Sequence, residues 1–114
     1  MRSDREKLLD ILESIIRIEK YAQQGKTVFE QDELIQTWTA YHLQIIGEAA
    51  RALSAALKQK YDCVPWTKIV DLRNLLVHEY FRIDVEIVWL IVESDLPNLK
   101  QNIAVILKEL SEES

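Results

Sequence analysis

The sequence predicts an all-α domain, a bundle of four to five helices, and two observations support that fold class. The 114 residues include only two Gly and two Pro, so turns are few and the elements between them are long. Apolar side chains recur three and four residues apart along most of the chain, which is the spacing of one helix face. A chain of this length corresponds to one domain, so we expect residues 1–114 to share a single core.

The first helix is expected to begin with a capping box near the N-terminus. Ser3 is followed three residues later by Glu6, so each side chain can bond the backbone N–H of the other residue. Gly25 is the predicted C-terminal stop. Between these points the apolar residues trace one stripe, formed by Leu8, Leu12, Ile15, Ile18 and Ala22.

A second capping box, Thr27 with Glu30, is expected to open the next helix. That helix should continue to about Lys60, with a break near Asp32 as an alternative. Gly47 lies in its middle, where Gly costs about 1 kcal/mol relative to Ala. Such a Gly usually marks the close approach of another backbone.

Two Pro residues delimit the helices of the second half. Pro65 fits the first turn of a third helix, because its missing N–H is no loss there. This helix is expected to run to His78 or Glu79. Asp84 can cap the next helix, and Pro97 should end or kink it before a last amphipathic helix.

Surplus apolar residues favour a homodimer. The first helix and residues 85–92 carry apolar side chains on more than one stripe, which is more than a lone bundle needs. A generous core would explain the surplus nearly as well, so both interpretations stand.

Composition limits the partners and the compartment. The net charge of −5 means that any RNA contact must come from a local basic site. The single Cys63 excludes an internal disulfide framework, fits a reducing cytoplasm and is expected to pack. The first residues do not resemble a signal peptide, and no apolar run reaches the roughly 18 residues of a membrane span. We therefore expect a soluble cytoplasmic protein without a membrane partner.

Residues 73–80, Arg-Asn-Leu-Leu-Val-His-Glu-Tyr, concentrate the reactive side chains of the chain. The Arg73 guanidinium can grip phosphate oxygens bidentately, and the His78 imidazole exchanges protons near neutral pH. Asn74 lies four residues before His78 and would share its helix face, and Tyr80 adds a phenol. Such a set suits a phosphodiester. The alternative is a His78 that caps the helix end and an Arg73 in a surface ion pair.

Other candidate sites are weaker. His42 lies among aromatic and apolar residues and is expected to be structural. Glu48 and Arg51, three residues apart, look like an ordinary helix pair. No His, Cys, Asp or Glu group has metal-ligand spacing, and there is no Gly-rich phosphate loop, so we predict neither a metal nor a cofactor.

The octapeptide at 73–80 resembles the motif of the HEPN superfamily, in which Arg and a polar residue precede a His. The closing His-x-Tyr is the form seen in HepT-like toxins. Residues 43–51 resemble the second helix of these proteins, and the positions of Pro65–Trp66, Val88–Trp89 and Leu96–Pro97 also match. The resemblance covers nearly the whole chain.

The resemblance implies an all-α HEPN-type bundle that dimerises and places two motifs around one composite cleft. It also implies a metal-independent endoribonuclease, the toxin of a type VII-like toxin–antitoxin pair, with tRNA or mRNA as candidate substrates. By analogy Arg73 would bind the phosphate, His78 would transfer protons and Asn74 would support the site. The antitoxin would be a minimal nucleotidyltransferase, which in some members silences the toxin by transferring AMP to the motif tyrosine, here Tyr80.

Other cations could contribute to the same cleft, and other functions remain open. Lys68, Arg51 and Arg82 could join Arg73 in a locally positive cleft. A non-catalytic helical subunit that binds a nucleotide or a nucleotidyltransferase is the main alternative. A helical dimer that only scaffolds a partner is a third possibility, and it would have little need of His78.

Overall fold

The computed structural model describes residues 2–73 and 84–113, and these are helical throughout apart from short connections, which confirms the all-α prediction. Helix α1 lies between α3 and α7, and α5 packs across α3. Within the two described ranges no helix is both long and apolar enough to cross a bilayer. The helices are α1 (Asp4–Ala22), α2 (Lys26–Gln31), α3 (Glu33–Ala52), α4 (Ala55–Lys60), α5 (Trp66–Val70), α6 (Val85–Leu90) and α7 (Leu96–Glu113), with a π-helical turn at Ile91–Asp95.

The core is formed where the apolar stripes of the long helices meet. Helix α1 buries Leu8, Ile15 and Ile18 of the predicted stripe, while Leu12 and Ala22 are only partly buried. Burying each such aliphatic side chain contributes about 1.5–3 kcal/mol. The facing helices α3 and α7 supply Leu43, Ile46, Ala50, Leu99, Ile103 and Ile106.

The beginning and end of α1 follow the sequence prediction. The Ser3 hydroxyl accepts a hydrogen bond from the Glu6 backbone N–H at 3.2 Å, and the Ser3 N–H donates to Glu6 Oε1 at 3.1 Å. The helix ends at Ala22. Three residues later the chain turns at Gly25, whose φ of 98° lies in the left-handed region that favours Gly.

The capping box predicted at Thr27 and Glu30 is wrong. Helix α2 begins one residue earlier, at Lys26, with Gly25 in the capping position and no side-chain capping hydrogen bond. The break near Asp32 is confirmed. The Asp32 carboxylate accepts hydrogen bonds from the N–H groups of Leu34 and Ile35, at 3.0 and 3.2 Å, and so caps α3.

The prediction of one helix continuing to about Lys60 is also wrong, because α3 ends at Ala52. Leu53 is extended, and the Ser54 hydroxyl caps α4 by accepting from the Leu57 N–H at 3.2 Å. Asp4 of α1 forms hydrogen bonds with Ser54 at this break. Its carboxylate accepts from the Ser54 N–H at 2.9 Å and from the Ser54 hydroxyl at 2.6 Å.

The Pro residues and Asp84 lie close to their predicted helix boundaries. Pro65 occupies the capping position just before α5, and Asp84 caps α6 by accepting from the Ile87 N–H at 3.1 Å. The chain stays helical through Pro97, but the hydrogen-bonding pattern changes before it. The chain passes through the π-helical turn immediately before it, which accommodates a residue that cannot donate to Glu93 in an α-helical bond.

Candidate functional site

Arg73 follows α5 and is partly buried against α3. Its Nε lies 3.0 Å from Glu48 Oε1 in an ion pair, and the side chains of Arg73 and Glu48 are 31% and 49% exposed. The ion-pair alternative for Arg73 is therefore observed. The pairing predicted between Glu48 and Arg51 is wrong, because the Glu48 carboxylate faces Arg73 on the neighbouring element, and no ion pair joins it to Arg51.

Gly47 lets the backbone at Arg73 approach α3. A Cβ placed on Gly47 would lie 2.8 Å from the Arg73 backbone nitrogen, 3.0 Å from the Arg73 Cβ and 3.2 Å from the Val70 carbonyl oxygen. Real side chains do not tolerate the first of these distances. The prediction that Gly47 marks the close approach of another backbone is confirmed, and the approaching residue is the first one of the motif.

A groove between α3 and α1 extends from Glu48. It encloses a cavity of about 460 Å³ whose α3 wall includes Tyr41, Gln44 and Glu48. Two cations on the α1 side already have partners. Arg2 pairs with Asp10, and the Lys7 ammonium donates to the Ala52 carbonyl at 2.8 Å.

Of the other cations of the predicted positive cleft, Lys68 already has a partner on another element. Lys68 pairs with Asp95 of the π-helical turn at 3.1 Å, so that ammonium is engaged on the α7 side of α5. Arg51 is exposed on α3, and Arg82 lies outside the described residues. Arg73 is connected to the α3 groove through its ion pair with Glu48, which lines that groove.

His42 is a structural residue, as predicted. Its side chain is 4% exposed, and Nδ1 lies 2.8 Å from the Trp38 carbonyl oxygen. Because a carbonyl only accepts, Nδ1 must carry a proton in this contact. The ring also packs against Trp38 and Tyr41, with centroid distances of 4.4 and 5.2 Å.

Cys63 is exposed, so the expectation that it packs in the core is wrong. It lies in the connection between α4 and α5, where the neighbouring Val64 and Trp66 take the buried positions. The thiol lines a cavity of about 270 Å³ between α5 and the start of α7, together with Lys68 and Asp95.

The remaining motif residues, Asn74, His78 and Tyr80, lie outside the described residues. The prediction of one continuous third helix from Pro65 to His78 or Glu79 is wrong, because α5 ends at Val70 and Asp71 lies in a turn. Sequence reasoning missed the contact of Glu48 with Arg73. The available signal was Gly47, whose position in mid-helix predicted a neighbouring backbone directly beside Glu48.

Comparisons with known proteins identify the family. The sequence model described as "Ribonuclease HepT-like" matches residues 11–106. A Methanocaldococcus jannaschii protein named "Gamma-glutamylcyclotransferase and putative RNase" is 35% identical over 112 residues, covering 96% of this chain and 50% of that protein. A second protein of this organism, named "Putative RNase", is 35% identical over 100 residues, covering 87% and 92%. "Probable ribonuclease HepT" of Thermococcus cleftensis is 34% identical over 102 residues, covering 87% and 91%.

The chain thus spans half the length of the first relative and most of the length of the other two. No solved structure matches it. The range matched by the family model begins within α1, ends within α7 and contains the octapeptide at 73–80. The chain belongs to the HepT-like ribonucleases of the HEPN superfamily.

Proposed function

We propose that this protein is the ribonuclease toxin of a toxin–antitoxin pair, with Arg73 and His78 as its catalytic residues and Asn74 in support. Membership of a ribonuclease family supports the reaction class. The observation that carries the site is the placement of Arg73, whose backbone lies against Gly47 and whose guanidinium is bonded to Glu48. A partly exposed guanidinium whose ion-pair partner lines an open groove suits the binding of a phosphodiester.

The proposed reaction is internal transesterification of RNA. The ribose 2′-hydroxyl loses its proton and attacks the adjacent phosphorus, and the bond from phosphorus to the 5′-oxygen breaks. The leaving oxygen takes up a proton, so the products are a 2′,3′-cyclic phosphate and a 5′-hydroxyl. Tethering of nucleophile and phosphorus supplies much of the acceleration. Arg73 stabilises the charge of the phosphorane-like transition state, and His78 transfers a proton without a metal ion.

We propose a homodimer in which two motifs surround one cleft. A single His78 per protomer can act as either acid or base, so the partner's His78 or water must complete the proton transfer. The outward stripe of α3 supports an interface close to Arg73. Tyr41, 60% exposed, and Glu48 lie two helical turns apart on this helix, and both line the groove.

The proposed antitoxin is a minimal nucleotidyltransferase that transfers AMP to the Tyr80 hydroxyl. AMP would add an anion and a bulky group two residues from His78. Both would oppose an RNA phosphate, the first by repulsion and the second by occupying space.

Purified wild type, Arg73→Ala and His78→Ala proteins would be incubated with total RNA in the presence of EDTA, after mass spectrometry has shown that Tyr80 carries no AMP. New 5′-hydroxyl and 2′,3′-cyclic ends are expected with the wild type and not with either variant. A substrate with 2′-deoxyribose at the cleaved position should resist cleavage. Its cleavage would rule out the internal nucleophile.

The alternative, a non-catalytic nucleotide- or partner-binding subunit of a nucleotidyltransferase complex, gives a different result. It predicts intact RNA with all three proteins and growth of cells that express the wild type. Antitoxin action has its own test, in which ATP and the cognate nucleotidyltransferase are added to wild type and Tyr80→Phe. Loss of cleavage in the wild type but not in Tyr80→Phe is expected. Silencing of both proteins would place the modification elsewhere.

A further inference from the structure

We infer that Glu48 is a positioning residue for Arg73, which aims the guanidinium at the scissile phosphate. The inference rests on the proposed ribonuclease function and concerns the same site. Two consecutive residues of α3 contact Arg73. Gly47 leaves space for the Arg73 backbone, and Glu48 orients the Arg73 side chain.

The ion pair leaves the phosphate-binding part of the guanidinium free. Glu48 Oε1 is 3.0 Å from Arg73 Nε, which carries one of the five N–H donors of the side chain. The two terminal nitrogens carry the other four donors. A phosphate can take two parallel hydrogen bonds from them while Glu48 keeps its own contact.

The restraint on Arg73 comes from a rigid element. The flanking α3 residues Ile46 and Ala50 are fully buried in the core, so the Glu48 backbone cannot shift easily. An Arg side chain without such a contact would sample many rotamers before it met the phosphate. Holding the guanidinium in one orientation favours the transition state, because a small misplacement of a reacting or stabilising group costs much of the rate.

The negative charge of the Glu48 carboxylate also opposes RNA binding, which allows its two effects to be measured separately. Glu48 is half exposed and anionic, so it repels an RNA phosphate that approaches Arg73. Removing its charge should therefore strengthen RNA binding, whereas moving its oxygen should slow the chemical step. A residue that acted only through its charge would show the first effect without the second.

Two conservative substitutions separate position from charge. Glu48→Gln keeps an oxygen within reach of Arg73 Nε and removes the charge, and Glu48→Asp keeps the charge and withdraws the oxygen by one methylene. We expect Glu48→Asp to lower kcat about tenfold or more at unchanged KM. Glu48→Gln should lower kcat less than about fivefold, since a neutral acceptor bonds more weakly, and should lower KM.

The measurement is steady-state cleavage of one RNA substrate by wild type, both Glu48 variants, Arg73→Ala and a matched control. Glu13→Ala is that control, because Glu13 pairs with Arg17 at 2.8 Å on the exposed face of α1. It should cleave as the wild type does. Circular dichroism melting of each protein establishes that the variants compared are folded.

The outcomes distinguish this inference from the function on which it rests. Wild-type kcat in Glu48→Asp, with Arg73→Ala inactive, would overturn the positioning role and leave the proposed function standing. Full activity of Arg73→Ala would overturn the proposed role of Arg73 itself. If Glu48→Asp also slows an Arg73→Ala protein that retains activity, Glu48 does not act through Arg73, and the inference is equally overturned.

Discussion

At the scale of single residues, the position of Arg73 depends on two consecutive residues of α3, Gly47 and Glu48. Gly47 lacks a side chain, which allows the Arg73 backbone to lie within 3 Å of where a Cβ would stand. Glu48 carries the carboxylate that forms an ion pair with Arg73 Nε. His42, on the same helix, uses its imidazole to bond the Trp38 carbonyl inside the fold and is therefore not available to RNA.

Gly47→Ala should destabilise the protein, although Ala is the better helix former by about 1 kcal/mol. The added methyl group would meet a backbone atom, which cannot turn aside as a flexible side chain can. We expect the free energy of unfolding to fall by about 1–3 kcal/mol in urea titrations. Gln44→Ala, at an exposed position of the same helix, should change it by less than about 0.5 kcal/mol. A more stable Gly47→Ala would contradict the close approach.

At the scale of elements, side-chain caps decide where helices begin and end. Three of the carboxylates involved lie near the N-termini of helices, where the dipole favours negative charge. Glu6 completes the capping box of α1, Asp32 caps α3 and Asp84 caps α6. Ser54 differs from these because its hydroxyl is bonded both to α4 and to Asp4 of α1.

Ser54→Ala should cost about 1–2 kcal/mol of unfolding free energy, since it removes the cap of α4 and one hydrogen bond to a carboxylate. Denaturant titration of the variant measures this loss. Thr27→Ala is the control, because Thr27 is exposed and α2 has no side-chain capping bond. An equal loss in both variants would contradict the capping role of Ser54.

The capping box of α1 should make stability depend on pH in the acid range. The Ser3 backbone N–H, and secondly the Ser3 hydroxyl, lower the pKa of Glu6 below its ordinary value. Its contribution is therefore complete above about pH 4.3, the pKa of a free Glu, and is lost as the pH falls through the lowered value. We expect the stability difference between wild type and Glu6→Gln to shrink over this acid range. A difference that stays constant from pH 7 to pH 2 would contradict the assignment.

At the scale of the whole molecule, the excess of negative charge disfavours indiscriminate contact with RNA. The net charge is −5, and Arg2, Arg17, Lys60, Lys68 and Lys100 each pair with a carboxylate. Such a surface repels nucleic acid in general. A specific substrate would have to be recognised through a small number of phosphate contacts, so RNA binding should weaken only modestly as salt is added, because the salt dependence scales with the number of phosphates neutralised.

Dimerisation through the outward stripe of α3 is the prediction that belongs to this scale. Tyr41→Lys should yield a monomer in sedimentation velocity experiments and should lose ribonuclease activity, because an interface core does not readily accept a buried charge. Val105→Lys is the matched control, since Val105 is 56% exposed on α7, which packs on α1 and the π-helical turn. That variant should remain dimeric and active. A monomeric wild type, or a dimeric Tyr41→Lys, would refute this interface.

The sequence by itself was sufficient for features that depend on neighbours along the chain. The all-α class, the capping box at Ser3, the break at Asp32 and the cap at Asp84 each follow from residues a few positions apart, because helix periodicity and capping are local. Gly47 also predicted that another backbone would approach. The family followed from the octapeptide at 73–80 and its surroundings, and the comparisons confirmed it.

Only the tertiary structure decided which distant residues meet. Asp4 and Ser54 are fifty positions apart, and their hydrogen bonds join α1 to the break between α3 and α4. Likewise, Glu48 pairs with Arg73 rather than with Arg51 on its own helix, because the packing of α5 on α3 brings the more distant cation closer. Helical spacing describes a single helix, whereas these contacts depend on how two elements pack against each other.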